Sequence, residues 1–119
     1  MNLNELLQSI LGVTGLPVEQ DLYTGKEDKY ILFSYEEETP TAFGDNVPIA
    51  DTAYMKIQLV TPKNFDYFCL KKQIRKQLEA AGFSVTSIRS FTGDTYMGTD
   101  QIRQTVFEAN YTTFRNKED

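Results

Sequence analysis

The sequence contains no histidine and only one cysteine, Cys69. Without histidine, the chain cannot form Ser-His or Cys-His catalytic pairs, a histidine general base or the commonest metal ligand in proteins. A single cysteine excludes an internal disulfide and any metal site that needs several thiolates. Most hydrolase and metalloenzyme interpretations therefore lose their central residue. We expect no catalytic residue, no metal site and no cofactor.

Long apolar segments are also missing, since no run of about 18 apolar residues occurs. The first residues, Met1 to Glu5, lack the basic region that begins a secretory signal. We therefore expect a soluble, cytoplasmic chain without a membrane partner. Its 119 residues, of which 40% are hydrophobic, are enough for one domain that spans residues 1–119. No internal repeat is visible.

Charge is distributed unevenly along the chain, although its net value is only -5. Residues 1–51 contain ten acidic and two basic residues, whereas residues 52–119 contain seven acidic and ten basic residues. The negative total argues against a general nucleic-acid binder, whose affinity would come mostly from neutralising phosphates. The asymmetry suits head-to-tail packing of subunits, with the acidic side of one against the basic side of the next.

The clearest structural unit runs from Ala53 to Phe83. Apolar and polar residues alternate from Ala53 to Leu59, as in a strand with one buried face. Pro62 ends this strand, and we expect Asn64 to cap the following helix, with Thr61 as the alternative cap. An apolar arc at helical spacing predicts the buried face of that helix: Tyr67, Leu70, Ile74, Leu78 and Ala81. Gly82 fits the left-handed position just past its end.

The remaining pattern predicts one more helix and several strands. Leucines at helical spacing between Leu3 and Leu11 predict a short helix with Asn2 as its cap. Residues Gly15–Val18 predict a short edge strand or an extended lead-in. Further strands are predicted at Tyr30–Tyr35, at Ser84–Phe91 and at Thr105–Phe114. This order indicates an α+β fold: a mostly antiparallel sheet of four or five strands, packed by two helices.

Two segments rich in glycine, proline and aspartate are predicted to be long projecting loops. They span residues 39–51 and 92–104, and the charged tail at 115–119 is predicted to be frayed. The first loop is interpreted either as a projecting arm or as a floppy hairpin tip in the isolated subunit, and both interpretations hold if the arm orders on binding. The residues in these loops that we expect to contact partners are Phe43, Asp45, Asn46, Tyr96 and Met97.

The outer side of the central helix allows several interpretations. Phe65 and Phe68 fall on this side, and the basic residues opposite or beside the core arc are Lys71, Lys72, Arg75 and Lys76. In one interpretation, the phenylalanines pack under a neighbouring loop and the bases form a solvated face. In another, the phenylalanines anchor an assembly surface and the bases meet a neighbour's carboxylates. A third interpretation is base stacking with single-stranded nucleic acid.

Three consecutive glutamates, Glu36, Glu37 and Glu38, follow the Tyr30–Tyr35 strand. They fit a solvated strand exit, or the acidic half of a subunit interface. An enzyme hypothesis would instead use these residues or Asp51 as acid-base groups, or would place a metal ion between them and Asp94.

Several fragments, taken in order, resemble the tail terminator, or tail completion, proteins of tailed bacteriophages and prophages. The resemblance covers about Leu16 to Phe114. The fragments that carry it are Tyr30–Tyr35 with its acidic exit, Pro48–Asp51 leading into the Tyr54 strand, Leu59–Asn64, Leu70–Arg75, Ala81–Phe83 and Val106–Glu108. Each fragment is unspecific alone, and their order and spacing carry the resemblance.

Membership of that family would imply a structural subunit that closes into a ring, typically a hexamer, on the head-proximal end of the tail tube. The ring would stop tube polymerisation and form the joint to the head or neck. Its implied partners are other copies of the chain, the major tail tube protein and a neck protein, with DNA only as passing cargo. Its implied location is the host cytoplasm during assembly and then the neck of the virion tail. A different head-closure or neck protein is the related alternative.

Overall fold

A computed structural model describes residues 2–44, 47–94 and 101–115 of the chain. This part of the chain contains two helices and five strands that form one sheet. The helices are α1 (Leu3–Gly12) and α2 (Phe68–Ala80). The strands are β1 (Val18–Gln20), β2 (Tyr30–Gly44), β3 (Val47–Pro62), β4 (Ser84–Asp94) and β5 (Gln101–Phe114). The predicted α+β fold, with two helices on one sheet, is confirmed.

The strand order in the sheet is β1-β2-β3-β5-β4. The short β1 pairs parallel to β2, and all other pairs are antiparallel, as the sequence predicted for most of the sheet. β1 faces only Ile31 to Phe33 of β2. In the described part of the chain, β2 therefore has no neighbouring strand on its outer side from Tyr35 to Gly44, and this segment is a sheet edge.

The core lies between one face of the sheet and the two helices. Met55, Ile57 and Leu59 of β3 are at most 1% exposed, which confirms the alternation seen in the sequence. They share a buried cluster with residues of both helices: Leu7, Leu11, Ile74 and Leu78. Because each of these large apolar side chains contributes about 1.5–3 kcal/mol when buried, this cluster is the main source of stability.

The end of α2 is as predicted, whereas its beginning is not. Gly82 has a φ of 98°, its N–H donates to the Glu79 carbonyl at 3.1 Å, and the Phe83 N–H donates to the Leu78 carbonyl at 3.0 Å. These are the two hydrogen bonds of a Schellman stop. The prediction that Asn64 or Thr61 caps the helix was wrong, because residues 63–67 are not helical and α2 begins only at Phe68. Asp66 Oδ1 accepts from the Phe68 N–H at 3.1 Å instead.

The predicted loop at residues 39–51 is instead a β-ribbon. Thr39 pairs with Thr52, Pro40 with Asp51 and Thr41 with Ala50, so β2 and β3 extend almost to residues 45–46. Pro40 is tolerated because the outer side of β2 has no strand to which its missing N–H would donate. We call residues 39–44 and 47–52 the arm. The local pattern predicts a loop here because proline and glycine usually interrupt strands, and this segment contains Pro40, Gly44 and Pro48.

The second predicted loop is also mostly strand. Residues 92–94 belong to β4, residues 101–104 belong to β5, and Asp94 pairs with Gln101. Residues 95–100 lie outside the described residues. The prediction of a frayed tail was wrong for Arg115, which is held by hydrogen bonds, and residues 116–119 lie outside the described part.

The domain is elongated along the strands. Its radius of gyration is 16.2 Å and its longest dimension is 57 Å. A compact domain of this length would have a radius of gyration of about 13.5 Å. The arm adds to the length of the domain, since β5 accompanies it only as far as the pairing of Phe114 with Ala50. Neither described helix has the length and apolar character needed to cross a bilayer.

Candidate interaction surfaces

The three consecutive glutamates form an exposed acidic strip on the edge of β2. A β-bulge makes Glu36 the extra residue, because Tyr35 pairs with Met55 while Glu37 already pairs with Tyr54. All three glutamate side chains are exposed. The prediction of a strand exit was wrong, since β2 continues to Gly44. We use "acidic strip" for Glu36, Glu37 and Glu38.

The first turn of α1 lies beside the acidic strip. Asn2, Leu3 and Asn4 line an open groove together with the strip, Tyr35 and Ala53. The Tyr35 hydroxyl donates to Asn4 Oδ1, and burial raises the pKa of Tyr35. Because the amino end of a helix carries partial positive charge, α1 offsets part of the repulsion among the glutamates. The three carboxylates can therefore lie side by side within one copy and remain exposed to solvent.

The basic residues predicted on α2 lie at its surface. Lys72, Arg75 and Lys76 are all exposed. Arg75 Nε lies 3.3 Å from Glu79 Oε1, one turn further along the helix, and Arg75 also lines a groove with Val85 to Ile88 of β4. An exposed pair within one helix contributes little, about 0.3–0.5 kcal/mol. Arg75 is thus partly neutralised, whereas the structure gives Lys72 and Lys76 no ion pair among the described residues.

Phe65 and Phe68 have different surroundings, so the structure separates two residues that the sequence placed together. Phe65 is half-buried, and the Lys29 ammonium from the loop before β2 lies 4.6 Å from its ring centre. This agrees with the interpretation in which a neighbouring loop covers the ring. Phe68 is 55% exposed and stacks on Tyr67, with the ring centres 4.8 Å apart. Of these two phenylalanines, only Phe68 is therefore exposed enough to anchor a partner.

A cation–aromatic cluster surrounds Tyr67 at the beginning of α2. The guanidinium of Arg103, in β5, lies 4.6 Å from the Tyr67 ring centre. The Lys71 ammonium lies 5.5 Å from the same centre and 5.2 Å from that of Phe68. We call Tyr67, Phe68, Lys71 and Arg103 the cation–aromatic cluster. Each such contact contributes about 0.5–1 kcal/mol at an exposed site.

Sequence reasoning did not identify this cluster. Tyr67 was assigned only to the core, which its exposure of 9% supports. Arg103 was placed in a predicted loop, but it lies in β5 between Thr61 of β3 and Thr92 of β4. Recognition that β4 and β5 form a long hairpin would have placed Arg103 next to the end of β3, where the chain turns into α2.

The acidic strip and the cation–aromatic cluster lie in different parts of the sheet. Glu38 pairs with Ala53 of β3, whereas Arg103 pairs with Thr61, eight residues further along the same strand. At about 3.4 Å per residue, this separation is about 27 Å along the strands. The strip is also on β2, toward one side of the sheet, whereas the cluster adjoins β5. The two surfaces therefore cannot meet within one copy of the chain.

One of the predicted contact residues lies in the arm. Phe43 lies in β2 opposite Pro48. Asp45, Asn46, Tyr96 and Met97 lie outside the described residues. Val47 and Ile49, near the end of the arm, are 58% and 43% exposed. The arm thus presents apolar side chains to solvent, which is typical of surfaces that bind another protein.

Asp51 is held in an ion pair at the base of the arm. Arg115 donates from Nε to Asp51 Oδ2 at 2.9 Å and from Nη2 to Oδ1 at 2.6 Å. These hydrogen bonds lower the pKa of Asp51, which opposes a role as proton donor at neutral pH. Among the described residues, no group of three or more Asp, Glu or Cys side chains could hold a metal ion.

Comparisons with known proteins provide no family assignment. No protein-family model and no curated protein matches the chain. One solved structure, named only by a sequence identifier, aligns with 96% of this chain and 98% of its own. The identity is 14% and the TM-score is 0.45, a similarity too low to support an argument about function.

Proposed function

We propose that this chain is a virion structural protein, the tail terminator of a tailed phage or prophage. Copies of the chain form a ring on the head-proximal end of the tail tube, stop its polymerisation and provide the joint to the head or neck. The proposal combines the ordered sequence resemblance with the surfaces of the folded domain. It assigns the chain binding and assembly and no chemical reaction.

The observation that carries the proposal is the separation of two complementary surfaces on one domain. The acidic strip on β2 and the cation–aromatic cluster beside β5 differ in sign and lie about 27 Å apart along the strands. Different patches that fit each other produce head-to-tail contacts, and such contacts close into a ring when the rotation between copies allows it. A twofold dimer would instead need a patch that complements itself.

The arm supplies a further surface for partners outside the ring. It is braced at its base by the Asp51–Arg115 pair and by hydrogen bonds among the hydroxyls of Thr41, Thr52 and Thr112, 2.9 and 2.8 Å long. Because this ribbon is ordered within one copy, docking costs less conformational entropy than ordering a loop. We assign the arm to contacts with the tube or neck protein. The net charge of -5 suits a ring through which DNA must pass without being held.

Deletion of the gene from a phage or prophage that encodes this chain tests the proposal. We expect tails of uncontrolled length in electron micrographs, with normal lengths restored when the gene is supplied in trans. Tails of normal length in the deletion strain would refute the proposal. Tails of normal length that fail to attach to heads would identify the chain as a different head-tail joint.

A further inference from the structure

The cation–aromatic cluster carries positive charge that the described part of the chain does not neutralise. Among the described residues, no carboxylate lies within ion-pair distance of Lys71 or Arg103. In contrast, Arg75, Arg89 and Arg115 each have an ion-pair partner. The first turn of α2 contains no acidic residue, and the Asp66 carboxylate just before it bonds the Phe68 N–H and forms no ion pair among the described residues. Because helix amino ends favour anions, Lys71 and Lys72 near this end add positive charge where the helix already has partial positive charge. The surface is suited to a carboxylate from outside.

The aromatic part of the cluster gives this charge a rigid support. Tyr67 is fixed in the core, and both Arg103 and Lys71 lie over its ring. Phe68 stacks on Tyr67 and keeps 55% of its surface exposed. A rigid aromatic side chain flanked by cations is typical of residues that dominate binding at protein interfaces. Any partner that covers Phe68 brings its own residues next to Lys71.

We infer that the cation–aromatic cluster receives the acidic strip of a neighbouring copy. In this contact, Phe68 is covered by the neighbour's β2 edge, and the carboxylates of Glu37 and Glu38 pair with Arg103 and Lys71. The inference rests on the proposed head-to-tail ring and names the surfaces that form it. It also changes the predicted interface, because Arg103 and Lys71 replace Arg75 and Phe65 as the central residues.

A second copy is the occupant that fits the charges and the geometry. The acidic strip lies on an open strand edge, and its glutamates form no ion pair among the described residues. Arg115 attracts Glu38 electrostatically but forms no ion pair with it, since the Arg115 guanidinium is hydrogen-bonded to Asp51. Among the described residues, each copy therefore presents an acidic surface and a basic surface that form no ion pairs within the copy. When identical copies join head to tail, the acidic surface of each copy meets the basic surface of the next.

Charge reversal on each side tests the inference by complementation. The acidic variant carries Lys71→Glu and Arg103→Glu, and the basic variant carries Glu37→Lys and Glu38→Lys. Each variant should need a protein concentration at least about tenfold higher than wild type to assemble, because like charges then face each other across the contact. Mixed in equal amounts, the two variants should assemble again in alternation. Assembly is measured by mass photometry over a concentration series, with and without tail tube present.

Several outcomes separate this inference from the proposed function. Unchanged assembly of both variants, or failure of the mixture to assemble although both variants fold, would overturn the inference and leave the ring proposal standing. Wild-type protein that never forms a closed oligomer, with or without tube, would overturn both. The cluster would be reassigned to nucleic acid by a different result: wild type binds a single-stranded oligonucleotide, the acidic variant does not, and both variants form the same oligomer as wild type.

Disulfide trapping provides a test that does not depend on the stability of Arg103 variants. Cys69 is exposed and directly follows Phe68 in sequence. In a Glu37→Cys variant, an added oxidant should link the introduced thiol of one copy to Cys69 of the next and produce a ladder of oligomers. The matched control, Thr86→Cys on the β4 edge, should give few linked species. An equal ladder from both variants, or none from Glu37→Cys under conditions where wild type assembles, would overturn the inference.

Discussion

Asp51 of β3 and Arg115 after β5 are joined by two hydrogen bonds, of 2.9 and 2.6 Å, although they are 64 residues apart in sequence. The Arg115 N–H also donates to the Ile49 carbonyl at 2.7 Å. Planar, bidentate pairs of this kind are stronger than neutral hydrogen bonds. The end of β5 is thus attached to the arm.

This pair predicts a specific dependence of stability on pH. Hydrogen bonding to Arg115 lowers the pKa of Asp51 below its ordinary value of 3.8. A carboxyl whose pKa is lowered by folding stabilises the folded state above its unfolded pKa, and this stabilisation is lost as the pH falls through the folded pKa. Wild type should therefore melt at a higher temperature than Asp51→Asn at pH 7, and the difference should shrink below about pH 4. Thermal melts from pH 7 to about pH 2.5 check this, and a constant difference would contradict it.

The hydroxyl ladder across the arm predicts the effect of Thr52→Val. Thr52 is 5% exposed and bonds both Thr41 and Thr112. Its replacement by an apolar side chain of similar shape should destabilise the fold by about 1–3 kcal/mol, since two hydrogen bonds of about 0.5–1.5 kcal/mol each are lost. Thr113→Val, at an exposed neighbouring position, should change stability by less than about 0.5 kcal/mol. Urea titrations of both variants measure the difference, and equal effects would show that the ladder is not specific.

Gly82 and Gly12 form a matched pair at the ends of the two helices. Gly82 has a φ of 98°, although a methyl group there would meet only Tyr111 Cε2, at 3.5 Å. Gly82→Ala should therefore destabilise the fold by about 1–2 kcal/mol through backbone strain alone. Gly12 has open space around it, so Gly12→Ala should be neutral or slightly stabilising. A neutral Gly82→Ala in chemical denaturation would contradict the Schellman assignment of α2.

The core face of α2 predicts that Ile74→Asp unfolds the domain. Ile74 is fully buried among residues of both helices and the sheet. An aspartate there would lose the apolar contacts and bury a charge without a partner, which costs more than the stability of a small domain can absorb. Lys76→Asp, on the exposed side of the same helix, should keep a cooperative transition within a few degrees of wild type. Circular dichroism distinguishes the two results, and a folded Ile74→Asp variant would show that this face is misassigned.

The sequence predicted the central part of the fold because local pattern and tertiary packing agree there. Ala53 to Leu59 alternates as a half-buried strand should, and Ile74 and Leu78 fall on the face that the sheet covers. Gly82 was identified because few other residues adopt a positive φ without strain. In these segments, each residue meets one physical requirement, either burial or a positive φ, and the residue type indicates which.

The arm could not be predicted in this way, because its strands are stabilised by pairing between distant residues. Pro40 and Pro48 usually indicate loops, and only the open outer edge of β2 makes Pro40 acceptable in a strand. The same limit applies to the cation–aromatic cluster. Lys71 and Phe68 are close in sequence, but Arg103 reaches Tyr67 only because β5 lies beside the end of β3. Local periodicity contains no information about that contact.

Electron cryomicroscopy of the protein bound to its tail tube tests the central claim most directly. The account predicts a single closed ring at the head-proximal end, in which the acidic strip of each copy lies against the Arg103 and Lys71 side chains of the next. A tube end that lacks the protein, or copies joined by a twofold axis with these surfaces facing solvent, would contradict it.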